Sequence, residues 1–191
     1  MEHFHNNDEI FGENWFSYAE FYKDMVEKAP NDAVFVELGA WKGRSTCCMA
    51  VEIINSKKTI DFYTVDSWKY VPSTEQPVSS QDMFDEVYRE FRKNIMPVKS
   101  FVEPIVSYSY MAAGLFSDAS IDFVFIDASH QFEDVSRDIR KWFPKLKKGG
   151  IIAGHDFFTS VHPGVKRAVE GFFPEDSIKT IPEQNVWYVE T

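Results

Sequence analysis

The chain has 191 residues, a formal charge of −10, 44% hydrophobic residues and 16% aromatic residues. That composition belongs to a folded domain with a substantial core, and nothing low in complexity divides it into two. The acidic balance repels a phosphate backbone at long range, and no apolar run reaches the roughly 20 residues that span a bilayer, so neither nucleic acid nor a membrane is an expected partner.

Cys47 and Cys48 are adjacent, where a disulfide would be strained and would close almost no loop, so both are expected as free thiols. The start MEHFHNNDEIFGEN has neither the basic nor the apolar region of a signal peptide. A reducing, cytoplasmic setting is the expectation.

In chain order, residues 1–32 read as a helical segment laid on a domain formed by 33–191, with Trp15, Tyr18, Tyr22 and Met25 spacing a helix over 15–28. Residues 34–38 form an apolar strand, 44–54 a helix and 59–66 a second strand. Two prolines and several serines make 68–82 a long loop, and 83–94 the next helix. Residues 101–108 are a third strand, followed by a short helix to Phe116, and IDFVFID at 121–127 is the clearest strand of all.

Phe132, Val135, Ile139, Trp142, Phe143 and Leu146 give 131–146 one helical stripe, which Gly149 and Gly150 are expected to end as a C-terminal cap. Arg137, Arg140, Lys141 and Lys145 form its solvated face. A fifth strand at 151–157, a helix at 162–173 and a closing hairpin at 178–190 complete the pattern. Repeated strand-helix order predicts an α/β fold with a parallel sheet covered by helices on both faces. The hairpin brings the strands to seven.

Ligands of such a sheet bind beyond the carboxyl ends of its strands. The sequence places Glu37 and Gly39 at the first tip, Asp66 at the second, Ser107 at the third, Asp127 at the fourth and His155-Asp156 at the fifth. Gly39 lets backbone approach a ligand, and Gly43 opens a helix whose first turn, Arg44-Ser45-Thr46, offers free N–H groups to an anion. Asp66, 27 residues after Gly39, is spaced to accept ribose hydroxyls. An adenosine-containing cofactor follows. The three glycines of a dinucleotide fingerprint and the phosphate loop GxxxxGK[ST] are both missing.

ELGAWKGRST, YTVDSW and FVFIDASHQFEDVSRDIRKWFPKLKKGGIIAGHDF together resemble the class I S-adenosylmethionine-dependent methyltransferases, in the subgroup of macrolide-sugar O-methyltransferases. The resemblance covers about 33–173 and implies a Rossmann-like, doubly wound, mostly parallel seven-stranded sheet with an antiparallel C-terminal hairpin. It implies that S-adenosylmethionine is held by Glu37, Gly39, Ala40, Trp41, Gly43, Ser45, Asp66, Ser67, Ser107 and Asp127. Trp41 stands where the wider superfamily has a third glycine; its ring is expected to project away from the cofactor, as packing or as a wall of the acceptor chamber.

Transfer of a methyl group from a sulfonium to a hydroxyl needs a placed nucleophile and a base. His130 fits the base, with Asp127 three residues earlier to orient it. Asp127 and Asp156 on neighbouring tips would repel unless a divalent cation, magnesium or manganese, lay between them, with His155 as third ligand. Relatives in the subgroup use such a metal to fix a substrate diol.

Trp15, Phe16, Trp68 and Tyr70 lie in segments able to close over the site. The favoured function is therefore methylation of a hydroxyl of a small molecule, a sugar or polyol. The alternatives are an N-methyltransferase, which needs less help with deprotonation, and a cofactor-binding domain without transferase activity. Acceptor specificity falls to the first ~30 residues, the 68–82 loop or a neighbouring subunit of a homo-oligomer.

Overall fold

The computed structural model describes residues 1–12, 14–70 and 80–191; most of the loop expected at 68–82 lies outside them. The strands are β1 (Ala33–Leu38), β2 (Ile60–Asp66), β3 (Glu103–Val106), β4 (Ile121–Ile126), β5 (Leu146–Gly154), β6 (Lys179–Ile181) and β7 (Val186–Glu190). The helices are α1 (Asp8–Phe11), α2 (Ala19–Lys28), α3 (Arg44–Ser56), α4 (Gln81–Asn94), α5 (Ser109–Ala112), α6 (Phe132–Trp142) and α7 (Pro163–Phe172).

One sheet of seven strands runs β3-β2-β1-β4-β5-β7-β6. β1 to β5 are parallel, while β7 joins β5 antiparallel and pairs with β6. This is the Rossmann-like sheet with a terminal hairpin that the sequence predicts. Strand side chains alternate between two cores. Phe35, Phe62, Phe123 and Phe125 pack with α2, α3 and α4 on one face, and Val36, Leu38, Val124 and Ile126 with α6 and α7 on the other.

The register aligns the tips. Leu38 pairs with Val65 and with Ile126, and Ile126 with Gly154. Hydrogen bonds continue one residue beyond the strands: Gly39 N donates to Val65 O, Asp127 N to Leu38 O, His155 N to Ile126 O and Ser107 N to Asp66 O. Four loops therefore leave the sheet at a common level.

Three expectations are corrected. The helix expected from Trp15 starts at Ala19, because Asn14 Oδ1 accepts from Phe16 N and forms a local turn in competition with a helix. Trp15 is left 65% exposed, whereas Tyr18, Tyr22 and Met25 keep the predicted buried stripe.

Gly149 and Gly150 do not cap α6, which ends at Trp142 ahead of Pro144, a residue with no N–H to continue the ladder. Both glycines lie in β5, where the register shifts between the pairs of Ile121 and Phe123, and Gly149 at φ 78° donates to Thr191 O. The third strand is shorter than expected: Met96–Phe101 is a 3-10 helix that takes Phe101, and at the other end Tyr108 is already the residue leading into α5. Cys47 and Cys48 are free, as expected, and both are buried. Among the described residues no helix is long and apolar enough to cross a membrane.

Candidate active site

Strand order reverses between β1 and β4, and ligands of such sheets bind at the carboxyl ends of the strands beside that switch point. The chain leaves β1 through Gly39 at φ 95°, where a Cβ would stand 1.9 Å from the backbone oxygen of Asp127. Only glycine fits. Gly43, at φ 86°, precedes α3 with no side-chain cap, so the positive end of a 13-residue helix faces the loop with its first N–H groups lacking intrahelical acceptors.

Asp66 organises this loop. Its Oδ2 accepts from Ala40 N and Trp41 N, each at 3.0 Å, and its Oδ1 from Trp68 N at 2.8 Å. Trp41 (φ 49°) and Trp68 (φ 43°) are both left-handed, a conformation that costs a bulky residue about 1–3 kcal/mol and persists only when its surroundings fix it. Trp68 Nε1 adds a bond to Trp41 O at 2.9 Å. Burial raises the pKa of Asp66, and the backbone N–H groups work against that rise.

Glu37 turns inward. It is 1% exposed and accepts from Thr46 Oγ1, Thr64 Oγ1 at 2.7 Å and Tyr22 O–H at 3.1 Å. Burial raises its pKa against these donors. Ser45, buried in the first turn of α3, acts with these donors against that rise. Glu37 thus braces β1, β2 and α3 beneath the loop.

At the tips of β4 and β5 four side chains converge. Oδ2 of Asp156 lies 3.1 Å from His130 Nε2 and 3.4 Å from His155 Nδ1, and Oδ1 of Asp127 lies 3.9 Å from the same two nitrogens. One ligand atom from each of Asp127, His155 and Asp156 falls within 4.8 Å of the others. His130, Asp156 and His162 satisfy the same criterion, and the His130 and His162 rings stack at 3.9 Å. Asp156 sits at φ 62°, a strained backbone that aims its carboxylate into the group.

The electrostatics follow. Burial pulls the His130 imidazole down, but its bonds to Asp127 and Asp156 outweigh this and push it up to about 10. Burial likewise acts to raise Asp156, yet the two imidazoles hold it below the ordinary carboxylate range. His155 is raised, since the neighbouring carboxylates overcome its burial.

Of the residues singled out in the sequence, Gly39, Ala40, Trp41, Gly43, Ser45, Asp66 and Ser67 come together in the loop, and Asp127, His130, His155 and Asp156 in the cluster. Ser107 follows β3 and its Oγ donates to Tyr108 O, at 3.2 Å. The Trp41 ring packs between Trp15, at 6.4 Å, and Phe84, at 5.8 Å. Trp68 is no lid: it is buried against Tyr88 and Phe91.

Sequence reasoning missed Ser17 and the polar role of Tyr18. Tyr18 O–H donates to Asp127 Oδ2 at 2.7 Å, and Ser17 Oγ lies 2.9 Å from His155 Nε2. Tyr18 matched the helical stripe, which hid its hydroxyl. His162 was read as a helix start; its signal was a second imidazole close in sequence to His155-Asp156.

The family model described as a methyltransferase domain matches residues 36–157, and the chain belongs to that family. The fold is that of the class I S-adenosylmethionine-dependent methyltransferases. The O-methyltransferase NovP superposes with a TM-score of 0.66 at 20% identity over 91% of this chain and 79% of NovP. CalS11, a calicheamicin methyltransferase, gives 0.64 at 14% identity over 97% and 83%. SMU.1697c from Streptococcus mutans, solved in complex with SAH, gives 0.59 at 12% identity over 90% and 96%. At these identities the likeness is one of fold. An uncharacterized protein, y4gI of Sinorhizobium fredii, is 23% identical over 149 residues, which are 78% of this chain and 16% of that protein.

Proposed function

We propose that this methyltransferase acts on a hydroxyl of a small molecule, a sugar or polyol, with His130 as the base and a divalent cation held by Asp127, His155 and Asp156. The observation that carries this reading is the approach of His130 Nε2 to 3.1 Å from Asp156 Oδ2 and 3.9 Å from Asp127 Oδ1, at the carboxyl ends of the strands next to the switch point.

The loop fits S-adenosylmethionine. Gly39 permits close backbone approach, the N-terminal end of α3 suits a carboxylate, and Asp66 stands at the second strand tip, where an acid can meet the ribose. The cofactor supplies an electrophilic methyl group on a sulfonium sulfur. The cluster also fits a cation, because two carboxylates and one imidazole are a donor set for manganese or a related ion. Such an ion would offset the carboxylate charge and acidify a coordinated hydroxyl.

His130 then has a defined task. An imidazole held at about 10 by two carboxylates is a poor base at neutral pH, and relief of their charge returns it toward its ordinary value of 6.5. A hydroxyl substrate needs that base; an amine acceptor does not. NovP is an O-methyltransferase, which supports the same choice.

The test is calorimetry with S-adenosylhomocysteine, followed by turnover of a polyol and sugar panel with manganese and with chelator. Binding plus turnover abolished by chelator supports the reading. Turnover of amines indifferent to chelator transfers the assignment to N-methylation, and binding without turnover on a broad panel leaves a cofactor-binding module.

A further inference from the structure

We infer that Ser17 and Tyr18, the two residues leading into α2, are positioning residues that set which atoms of His155 and Asp127 face the site. Ser17 has one hydroxyl hydrogen to give. Ser17 Oγ lies 2.8 Å from the backbone oxygen of Gln184 and 2.9 Å from His155 Nε2. A carbonyl oxygen only accepts, so the single hydroxyl hydrogen of Ser17 goes to Gln184. Ser17 must therefore accept from His155, and Nε2 carries a hydrogen.

That hydrogen fixes the tautomer. In the neutral ring the lone pair belongs to Nδ1, which is the nitrogen 3.4 Å from Asp156 Oδ2 and 3.9 Å from Asp127 Oδ1. A ligating imidazole is commonly held by such a bond on its other nitrogen, and loss of the outer partner typically weakens metal binding 10–100-fold.

Tyr18 acts on the second ligand. Its hydroxyl donates to Oδ2 of Asp127, while Oδ1 is the oxygen turned toward His130 and His155. The phenol is 2% exposed, and its ring lies 4.4 Å from Phe125 and 5.0 Å from His155, so its direction is fixed by packing. Burial and the nearby carboxylates of Asp127 and Glu37 raise its pKa, which keeps it a donor.

The anchor is the hairpin connection. Gln184 accepts from Ser17 through its backbone oxygen, and from Phe21 N in the first turn of α2 through Oε1, at 3.0 Å. The segment before the first strand is thereby tied to the end of the sheet, directly above two of the proposed ligands. The metal half of this inference rests on the function proposed above; the tautomer half stands without it.

The experiment uses the full chain and the variants Ser17→Ala, Ser17→Thr and Tyr18→Phe. Long-range nitrogen-proton correlation spectra of chelator-treated protein, taken alkaline enough for the ring to be neutral, report the His155 tautomer. The wild type and Ser17→Thr are expected to carry the hydrogen on Nε2, and Ser17→Ala to lose that bias. Manganese binding, read by paramagnetic resonance of the free ion, is expected to weaken 10–100-fold in Ser17→Ala and in Tyr18→Phe and to recover in Ser17→Thr.

A wild-type ring with its hydrogen on Nδ1 overturns the inference, whatever the variants do. So does a Ser17→Ala protein with unchanged tautomer and manganese affinity within twofold. A wild type that binds no manganese but shows the Nε2 hydrogen removes the metal from the proposed function and leaves the orienting role of Ser17 intact.

Discussion

Nε2 of His130 stands 3.1 Å from Oδ2 of Asp156, and the contact couples the proposed base to the acids around it. Replacing His130 with glutamine keeps a polar side chain of similar reach and removes proton acceptance. General-base assistance contributes typically 10²–10⁴-fold, so kcat is expected to fall by about that factor. Affinity for S-adenosylhomocysteine, whose proposed contacts lie in the glycine loop, is expected to change by less than about threefold. Steady-state rates and calorimetry on one preparation check both, and a variant with more than about a tenth of wild-type kcat removes His130 from the base role.

Gly39 is the least replaceable residue of the loop. A methyl group at this position meets Asp127 O at 1.9 Å and Asp127 C at 2.6 Å, and the backbone at φ 95° is one that L side chains rarely adopt. Relief requires β1 and β4 to part at their tips. Gly39→Ala is expected to destabilise the chain by more than about 2 kcal/mol and to abolish cofactor binding, as urea unfolding and calorimetry will report. Wild-type stability would mean that the tips separate freely.

The sheet was legible because its signals are local and redundant: apolar runs such as IDFVFID, helical stripes such as Val135-Ile139-Trp142, and acids at the tips. The strand ends in turn marked out the candidate site. What stayed hidden depends on distance in sequence. Tyr18 reaches Asp127 across 109 residues and Ser17 reaches His155 across 138, and no periodicity encodes which hydroxyl on a buried stripe will face a carboxylate. The misplaced end of α6 has a different cause. Gly149-Gly150 carries the usual signature of a helix cap, but Pro144 stops the helix first and leaves the glycines to the irregular start of β5. Trp68, conspicuous beside a long loop, proved to be core because two aromatic rings of α4 enclose it.

Lys58 secures the far end of the N-terminal helix. Its Nζ donates to the backbone oxygens of Val26, Glu27 and Ala29 at 2.9, 2.6 and 2.7 Å, using all three ammonium hydrogens on the last turn of α2. The charge also complements the negative end of that helix. Lys58→Met, which keeps the stem and deletes the donors, is expected to cost about 1–3 kcal/mol in urea unfolding. A change within about 0.5 kcal/mol would show that water replaces the ammonium.

Asp138 gives the fold a pH dependence of defined sign. It lies in α6, 2% exposed, with the Ser109 hydroxyl 2.7 and 2.8 Å from its two oxygens, and burial, opposed by that hydroxyl and by Arg137, raises its pKa to about 7 from 3.8. A carboxyl raised on folding contributes stability that is fully present below about pH 4, where both folded and unfolded chains hold the proton. The contribution is lost as pH climbs from there through about 7, because the unfolded chain ionises first. Asp138→Asn removes the titration while keeping the shape and an acceptor for Ser109. The variant is expected to match wild type near pH 3, below the unfolded pKa, and to exceed it by roughly 2–4 kcal/mol at pH 8, given about 1.4 kcal/mol per pKa unit. Urea unfolding at the two pH values checks this, and an equal difference at both would place the effect in packing rather than in ionisation.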